Sequence, residues 1–474
     1  MSFVIYDVET TGLNTRFDQI LHFGAVRTDE TLAPTATIEA RSRLLPYVVP
    51  SPKALVLTGT SLKDLTSPLR PSHYAMVCEI QRALAEWSPA LFLGYNSIHF
   101  DEEFLRQAFY QCLHPTFLTN TNANARADIL NLMRAVSCLR PGVLQVPRDA
   151  DGRQVFRLSN LAMANELAVG SAHHAMRDVE LTLQLCQRVR EGAPDIWSSF
   201  MRFASKPAVL AFIREEPAFG YFDKFEGTRS VRPLTRIGIS PVDANVHYCL
   251  DLTHDVDALR RLTDDQLGEI VRARFTSPIR RLKVNASPFV CPLWELSDAD
   301  LEPANEGELM RLGQRIQFDD EFVGRLAAAA RTTDRTYPPS EHVELQIYGT
   351  GWPSDEDVAA CRHFHQSPWE MRLDIALGLA DPRFRRLGKR LVYLERPDLL
   401  RPDDRVAFDA EVVRRLRGGD GDFPWMTLPQ ALAEIEELIA AAPEQEHERL
   451  RALREETGRL APDQVGKRAG AEMN

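Results

Sequence analysis

The chain opens with a short apolar run that ends in two carboxylates, Asp7 and Glu9, in the sequence FVIYDVE. An apolar, β-branched run of this length predicts a buried strand. Because residues two apart on a strand point to the same face, both carboxylates project from one spot at the strand end. Two anions held this close repel each other unless a cation lies between them, and hard divalent cations prefer oxygen ligands. A lone D-x-E pair is most often only a solvated strand end, so further motifs have to support a metal site.

A second candidate motif is GYNSIHFDEEFL, residues 94–105, which follows the short apolar strand ALFLGYN. Asn96 is placed in the turn, and Asp101 begins a helix with one apolar face. Taken alone, an acidic residue at a helix start is commonly a cap or a partner of the helix dipole. This motif indicates a metal site only in combination with the other two motifs.

The third motif is AHHAMRD, residues 172–178, and it precedes the helical pattern VELTLQLCQRV. If that helix begins near His174, then His173 lies on the loop before it and Asp178 lies one turn inside. A loop histidine beside a helical carboxylate can reach the same site. His174 itself is expected to be an ordinary surface residue.

The remaining pattern indicates a mixed α/β chain. The first part alternates strands (FVIYDVE, ILHFGAVRTDE, ATIEARSRLL) with helical stretches near 74–87, 101–113, 126–138, 158–167 and 174–190. The middle part has short strand-like pieces (GYFDKF, VHYCLDL, RRLKVNASPFVCP) between Gly and Pro breaks, which favours a small barrel with inserted helices. Helical periodicity dominates from Ser354, a good N-cap, onward.

Together the three motifs supply four carboxylates and a histidine in the order D-x-E, N-x4-D and H-x4-D. This order resembles the histidine subclass of the DEDD exonuclease superfamily. The resemblance implies that two Mg²⁺ ions, with Mn²⁺ as a substitute, are held by Asp7, Glu9, Asp101 and Asp178. It also implies that His173 is the general base. Two such ions can clamp the attacking and leaving oxygens of a phosphodiester, and an imidazole titrates near neutral pH.

Three segments point to one family within that superfamily, exodeoxyribonuclease I. They are GYNSIHFDEEFLRQAFY, DILNLMRAVSCLRPGVLQVP and VFRLSNLAMANEL. The resemblance implies a ribonuclease H-like exonuclease domain at 1–195, an SH3-like β-barrel domain at 196–350 and a C-terminal helical domain at 351–474. It also implies processive release of 5′-mononucleotides from the 3′ end of single-stranded DNA, in DNA repair and recombination. The stretch 117–127 departs from the family pattern because it lacks tryptophans.

Candidate DNA contacts combine cations for the phosphates with rings for the bases. In the middle part, residues 270–294 contain no acidic residue. Strand alternation there places two cations on one face. A second basic cluster, PRFRRLGKR at 382–390, could contact DNA or be a solvated face, and we expect the latter. The predicted substrate contacts are Glu9, Arg106, Phe117, Arg134, Arg140, Phe156, Arg157, Arg281 and Lys283.

The net charge of −11, from 56 Lys+Arg and 67 Asp+Glu, argues against indiscriminate binding to nucleic acid. Acidic residues are absent from the 270–294 strip, and the expected metal ligands account for four of the acids. The charge therefore indicates an acidic exterior with a narrow basic track along which one strand could pass.

The N-terminus has no basic region before its apolar run, no stretch of 18 apolar residues occurs, and the seven cysteines include no CxxC. These features predict a cytoplasmic protein without a membrane span, disulfides or a cysteine zinc site. The family resemblance adds a monomeric state and binding to the acidic tail of single-strand DNA-binding protein. Two alternatives stay open: an exonuclease that trims RNA or proofreads for a polymerase, and a single-strand-binding protein without catalysis.

Overall fold

The computed structural model describes residues 2–167, 174–222, 231–273, 276–335, 340–349, 351–419, 421 and 423–461. The elements of the first part are β1 (Ser2–Thr10), β2 (Ile20–Thr28), β3 (Pro34–Arg41), α1 (Pro52–Thr58), α2 (Leu62–Leu65), α3 (His73–Trp87), β4 (Ala90–Gly94), α4 (Asp101–Gln111), β5 (Ala125–Asp128), α5 (Ile129–Leu139), α6 (Leu158–Ala164) and α7 (Ala175–Gly192). The strands form one sheet in the order β3-β2-β1-β4-β5. The first three strands are antiparallel, and β4 and β5 run parallel to β1.

The sheet is covered on both faces, and the alternation of β1 sorts its side chains between two cores. Phe3 and Ile5 pack with α5, α7 and part of the middle region. Val4 and Tyr6 pack with α3, α4 and the C-terminal helices. Since every second residue shares a face, Asp7 and Glu9 lie on the Phe3 side, where α7 packs.

The middle part is built on a second sheet. Its elements are α8 (Pro194–Phe203), α9 (Lys206–Glu215), β6 (Phe219–Phe222), β7 (Val231–Ile239), β8 (Val246–Asp251), α10 (Val256–Arg261), α11 (Asp264–Arg272), β9 (Ile279–Lys283), β10 (Phe289–Pro292), α12 (Asp298–Leu301), α13 (Glu306–Gln317) and α14 (Asp320–Arg331). The strands are antiparallel in the order β10-β6-β7-β8-β9. The piece RRLKVNASPFVCP thus forms two strands at opposite edges.

The C-terminal part is helical, as its periodicity predicts. Its helices are α15 (Asp355–Gln366), α16 (Trp369–Gly378), α17 (Pro382–Glu395), α18 (Pro402–Arg417), α19 (Leu428–Ala441) and α20 (His447–Gly458). Single 3₁₀ turns occur at Ser97–His99, Leu118–Asn120, Leu293–Glu295, Val343–Gln346, Pro397–Leu399 and Glu444–Glu446. Ser354 caps α15 by accepting the Asp357 N–H at 3.1 Å. Among the described residues, no helix is long and apolar enough to cross a membrane.

The basic cluster 382–390 is a solvated face only in part, at the exposed Arg385 and Arg386. Arg383 and Arg390 are buried. Arg390 pairs with the buried Glu344 at 2.5 Å, and Lys389 pairs with Asp404 at 2.5 Å. Its cations therefore join helices to each other and to the preceding 3₁₀ turn. A local sequence window cannot reveal this, because the partners lie 15 and 46 residues away.

Candidate active site

The end of β1 brings three carboxylates together. Asp7 and Glu9 come from the strand, and Asp178 comes from the first turn of α7. One ligand oxygen from each lies within 4.8 Å of the others. The strand spacing and the third sequence motif therefore converge on one point, as the metal hypothesis requires.

A glycine on β2 lets α7 come this close. Gly24 is paired with Asp7 in the β1–β2 register. A Cβ on Gly24 would lie 2.8 Å from the backbone nitrogen of Met176 and 2.9 Å from the carbonyl carbon of Ala175. Because any larger residue would push the helix start away, this glycine sets the distance between Asp178 and the strand carboxylates.

The second motif reaches the same site from the other face of the sheet. Asp101 is the first residue of α4 and is buried. Its Oδ1 accepts a hydrogen bond of 3.0 Å from the backbone N–H of Val8, which lies between the two strand carboxylates. Since β4 runs parallel to β1 and ends just before α4, both motifs emerge at the same sheet edge.

The electrostatics of this site favour a cation. Burial, and then the charges of Asp101, Asp178 and Glu9, raise the pKa of Asp7 well above its ordinary value. Burial and then Asp178 raise the pKa of Glu9 to about 7. Burial raises the pKa of Asp101 to about 8, although the hydrogen bond from Val8 opposes that shift. Clustered, buried carboxylate oxygens that repel one another fit hard divalent ions such as Mg²⁺ or Mn²⁺.

The third motif contains two histidines, His173 and His174. His173 lies outside the described residues. His174 precedes α7, and its side chain is 40 % exposed, as expected of a surface residue, but it also belongs to a cluster. It packs edge-on against His22, with ring centroids 4.6 Å apart, and it lies 3.6 Å from a carboxylate oxygen of Glu39.

Sequence reasoning missed Glu102, which lies directly behind the site. Its carboxylate is fully buried and accepts hydrogen bonds from the Tyr6 hydroxyl at 2.8 Å and from the Thr119 hydroxyl at 2.6 Å. It also pairs with Arg106 at 2.9 Å and with Arg126 at 3.0 Å. Although burial acts against ionisation, these two arginines lower the pKa of Glu102. The one local indication in the sequence is that Glu102 follows Asp101 directly in DEE. That position does not show whether the carboxylate binds a metal or forms buried ion pairs.

The network around Glu102 changes the interpretation of Arg106, a predicted substrate contact. Its guanidinium is buried and also contacts the Asn120 side chain and the Tyr348 hydroxyl, each at 3.2 Å. Phe117, another predicted contact, stacks under this cation at 5.0 Å. Arg106 is therefore directed into the protein in this structure, whereas Phe117 is half-buried beside it.

Phe117 belongs to a group of rings that the sequence did not indicate. Its ring centroid lies 5.0 Å from that of Trp352 and 6.0 Å from that of Tyr348. Trp352 is 77 % exposed. Phe117 is more than 200 positions from the other two residues, so only the folded chain places the three rings together.

The other predicted contacts of the first domain are scattered. Arg140, at the end of α5, forms an ion pair with Asp195. Arg134 donates to the Asn131 side chain at 3.4 Å. Phe156 is half-buried, and its carbonyl accepts the Tyr95 hydroxyl at 2.6 Å. Arg157 is exposed just before α6. Their roles in substrate binding stay predictions.

The two cations predicted on the middle sheet share one face. Arg281 and Lys283 are exposed and alternate with buried residues along β9. Arg281 pairs with Asp334 at 2.6 Å. The turn after β9 touches the first domain, because the carbonyl of Asn285 accepts a hydrogen bond of 3.2 Å from Arg126. A chain of polar contacts thus joins this turn to Glu102.

Comparisons with known proteins agree with these features. Residues 4–186 match the exonuclease family model. Exodeoxyribonuclease I of Buchnera aphidicola (subspecies Baizongia pistaciae) is 28% identical over 301 residues, which are 62% of this chain and 62% of the relative. Exodeoxyribonuclease I of Escherichia coli K12 is 27% identical over 383 residues, which are 76% of this chain and 78% of the relative.

Solved structures show the same fold over almost the whole chain. Escherichia coli exonuclease I in complex with a dA16 oligonucleotide superposes with a TM-score of 0.87 at 21% identity, over 97% of this chain and 100% of that one. The structure described as SSB/exonuclease I in complex with the inhibitor CFAM gives 0.83 at 21% identity, over 97% and 99%. The mixed α/β fold with a ribonuclease H-like core, and the family resemblance carried by the motifs, are confirmed. The domain boundaries stay predictions.

Proposed function

We propose that this chain, a member of the exodeoxyribonuclease I family by its sequence and fold, is a metal-dependent 3′–5′ exonuclease that degrades single-stranded DNA to 5′-mononucleotides. The observation that carries the proposal is the convergence of Asp7, Glu9 and Asp178 within 4.8 Å, next to the buried Asp101. Four carboxylates at one sheet edge, three of them with raised pKa values, form a site that needs cations to ionise fully.

Each side chain has a definite task in this proposal. Asp7, Glu9, Asp101 and Asp178 would hold two divalent ions, preferably Mg²⁺ with Mn²⁺ as a substitute. When bound, these ions supply a Lewis acid for the phosphodiester and neutralise the charge that develops on its oxygens. The Val8 N–H holds the Asp101 carboxylate in place. His173 would accept the proton of the attacking water. Glu9 would also contact the terminal nucleotide.

Features outside the carboxylate site support a single strand as substrate. Unpaired bases can stack on exposed rings, and Phe117, Tyr348 and Trp352 offer such a surface. Arg281 and Lys283 on β9 provide cations for the backbone, while the net charge of −11 disfavours unselective binding. The Escherichia coli relative was crystallised with a DNA oligonucleotide, which supports the same substrate class here.

The cellular part of the proposal rests on the relatives. The structure of exonuclease I described together with SSB supports binding to a single-strand DNA-binding protein. We assign this contact to the acidic tail of that protein, as the family resemblance implies. We further propose that the chain acts as a monomer in the cytoplasm, in DNA repair and recombination. The alternative substrates, RNA or a polymerase-bound primer end, are disfavoured because the solved exonuclease I structures share the fold over 97% of this chain, including the middle and helical parts that a bare trimming enzyme does not need.

The experiment that tests the proposal uses three 5′-labelled substrates: single-stranded DNA, duplex DNA and single-stranded RNA. Each is incubated with Mg²⁺ or with EDTA, and products are resolved by length. We expect only the single-stranded DNA to shorten from its 3′ end, only with Mg²⁺, with mononucleotides as products. Persistence of that strand, or equal digestion of the duplex or RNA, would contradict the proposal.

A further inference from the structure

The sheet face that carries the candidate active site continues into a second cluster of side chains. In the register of the sheet, Glu9 is opposite His22, which is opposite Arg41. Asp7 is opposite Gly24, which is opposite Glu39. Directly opposed residues of antiparallel strands share a face. His22, Glu39 and Arg41 therefore line the same face as the catalytic carboxylates, one and two strands further along.

The start of α7 adds His174 to this cluster. His22 Nε2 lies 3.1 Å from Glu39 Oε1, and His174 Nε2 lies 3.6 Å from the same oxygen. All three ligand atoms lie within 4.8 Å of one another. Zinc–ligand bonds of about 2.0–2.2 Å place the donor atoms of a tetrahedral site about 3.3–3.6 Å apart. The three atoms already approach that spacing.

The ring geometry also suits a shared ion. The planes of His22 and His174 are inclined by 77°, so their nitrogen lone pairs can point toward one position. In a second cluster, Cys78, His114 and His365, the donor atoms also lie within 4.8 Å of one another. There the two imidazoles are stacked at 3.9 Å and inclined by only 4°, so their in-plane lone pairs lie in separate parallel planes. That cluster is a matched control.

We propose that His22, Glu39 and His174 form a site for a zinc-class transition-metal ion, separate from the carboxylate site that holds the catalytic ions. Two imidazoles and one carboxylate favour Zn²⁺ over Mg²⁺, which prefers oxygen ligands.

Arg41 controls access to this site. Its Nη2 donates to His174 Nε2 at 2.5 Å and to Glu39 Oε1 at 2.8 Å. The guanidinium thus occupies two of the three donor atoms in the metal-free protein. Its side chain is 41 % exposed and can swing into solvent. A metal ion therefore has to displace the Arg41 guanidinium. This competition raises the metal concentration that is needed to occupy the site.

The position of the site gives it a consequence for the neighbouring centre. His174 is the residue from which α7 begins, and α7 carries Asp178. An ion that fixes His174 to β2 and β3 therefore fixes the start of that helix and adds positive charge beside the catalytic ions. We expect Zn²⁺ to slow the exonuclease, an effect that rests on the proposed function, whereas the binding itself does not.

Binding is measured on the full chain with Co²⁺ as an optical probe, because four-coordinate Co²⁺ absorbs visible light far more strongly than Co²⁺ among six oxygens. The Asp7→Asn background and excess Mg²⁺ suppress binding to the carboxylate site. We expect one equivalent of Co²⁺ to give the intense absorption and one equivalent of Zn²⁺ to remove it. The absorption measurement needs no nuclease activity. It therefore tests metal binding even if the proposed exonuclease function is wrong.

Variants identify the ligands. Glu39 and His174 are 43 % and 40 % exposed, so Glu39→Gln and His174→Ala leave the core intact, unlike a change at the buried His22. Each should weaken Co²⁺ binding at least about tenfold. Arg41→Ala should tighten it, because the competing cation is gone, and His365→Ala should leave it unchanged. Absorption that survives His174→Ala, disappears with His365→Ala, or weakens in Arg41→Ala would overturn the proposal.

Discussion

The backbone N–H of Val8 donates a 3.0 Å hydrogen bond to the carboxylate of Asp101. This single contact fastens the start of α4 to the end of β1, between the two carboxylates of the strand. Because Asp101 is the first residue of its helix, the bond also fixes where that helix begins relative to the sheet. Residues 93 positions apart along the chain thereby meet at one site.

Asp178→Ala should abolish turnover while DNA binding persists. Loss of one ligand removes several kcal/mol of charge stabilisation in the transition state, which corresponds to a rate at least about 10³-fold lower. Single-turnover degradation and an equilibrium DNA-binding assay measure the two effects separately. Glu180→Gln, an exposed position on the same helix, is the control and should keep the wild-type rate. A variant that cleaves at the normal rate would remove Asp178 from the metal site.

His173→Ala should lower the rate by about 10²–10⁴-fold with both metals still bound, as loss of a general base does. His174→Ala, in the absence of transition metals, should have a much smaller effect. Comparison of the two variants in Mg²⁺ titrations and single-turnover assays decides between them. If His174→Ala were the crippling change, the H-x4-D assignment would be wrong.

Mg²⁺ should stabilise the protein more at about pH 8 than at about pH 6. The pKa values of Glu9 and Asp101, about 7 and about 8, are raised above their unfolded values. The protonated forms of both carboxyls are therefore favoured in the metal-free folded protein. The free energy of unfolding of the metal-free protein decreases as pH rises from the pKa of the unfolded state through the pKa of the folded state. Metal binding requires the ionised forms and becomes tighter over the same range. Thermal unfolding with Mg²⁺ or EDTA at both pH values measures the difference.

Asp7→Asn should raise the stability of the metal-free protein, because it removes one of several like charges buried together. The same change should abolish the stabilisation by Mg²⁺. Thermal unfolding of the variant with and without the ion tests both effects, and a variant that is less stable than wild type without metal would refute the electrostatic account.

Glu102→Ala should cost about 3–5 kcal/mol of unfolding free energy, because it leaves Arg106 and Arg126 buried without their shared carboxylate. Urea unfolding measures the loss. Glu370→Gln, which breaks an exposed pair with Arg396, is the control and should have little effect. Equal stability of the two variants would show that the Glu102 network contributes nothing.

Lys283→Ala should weaken DNA binding and lower the slope of log affinity against log salt by about 1, as loss of one phosphate contact does. Lys283 is exposed on β9, whereas its neighbour Arg281 already pairs with Asp334. Binding isotherms over a range of salt concentrations measure the slope, with the exposed Arg454, which pairs with Glu436, changed to Ala as the control. An unchanged slope would exclude Lys283 from the DNA track.

The strands and helices that the sequence predicts well are those whose signal is local. The apolar run before Asp7 and the one before Gly94 both form buried strands, and Ser354 caps the helix that its pattern indicates. Strand β5 is missed, because its four residues carry no apolar run. Its hydrogen bonds come from parallel pairing with β4, which the local sequence does not encode.

The sequence alone determined the chemistry of the candidate site. Strand alternation places Asp7 and Glu9 on one face, and a helix start places Asp101 at a sheet edge. The tertiary structure alone decided which charges remain available. Arg106 forms a buried ion pair with Glu102, and Arg390 forms one with Glu344. His174 lies in a cluster with Glu39. The reason is physical: spacing along a strand or helix is fixed by local geometry, whereas burial and ion pairing depend on partners brought together only by folding.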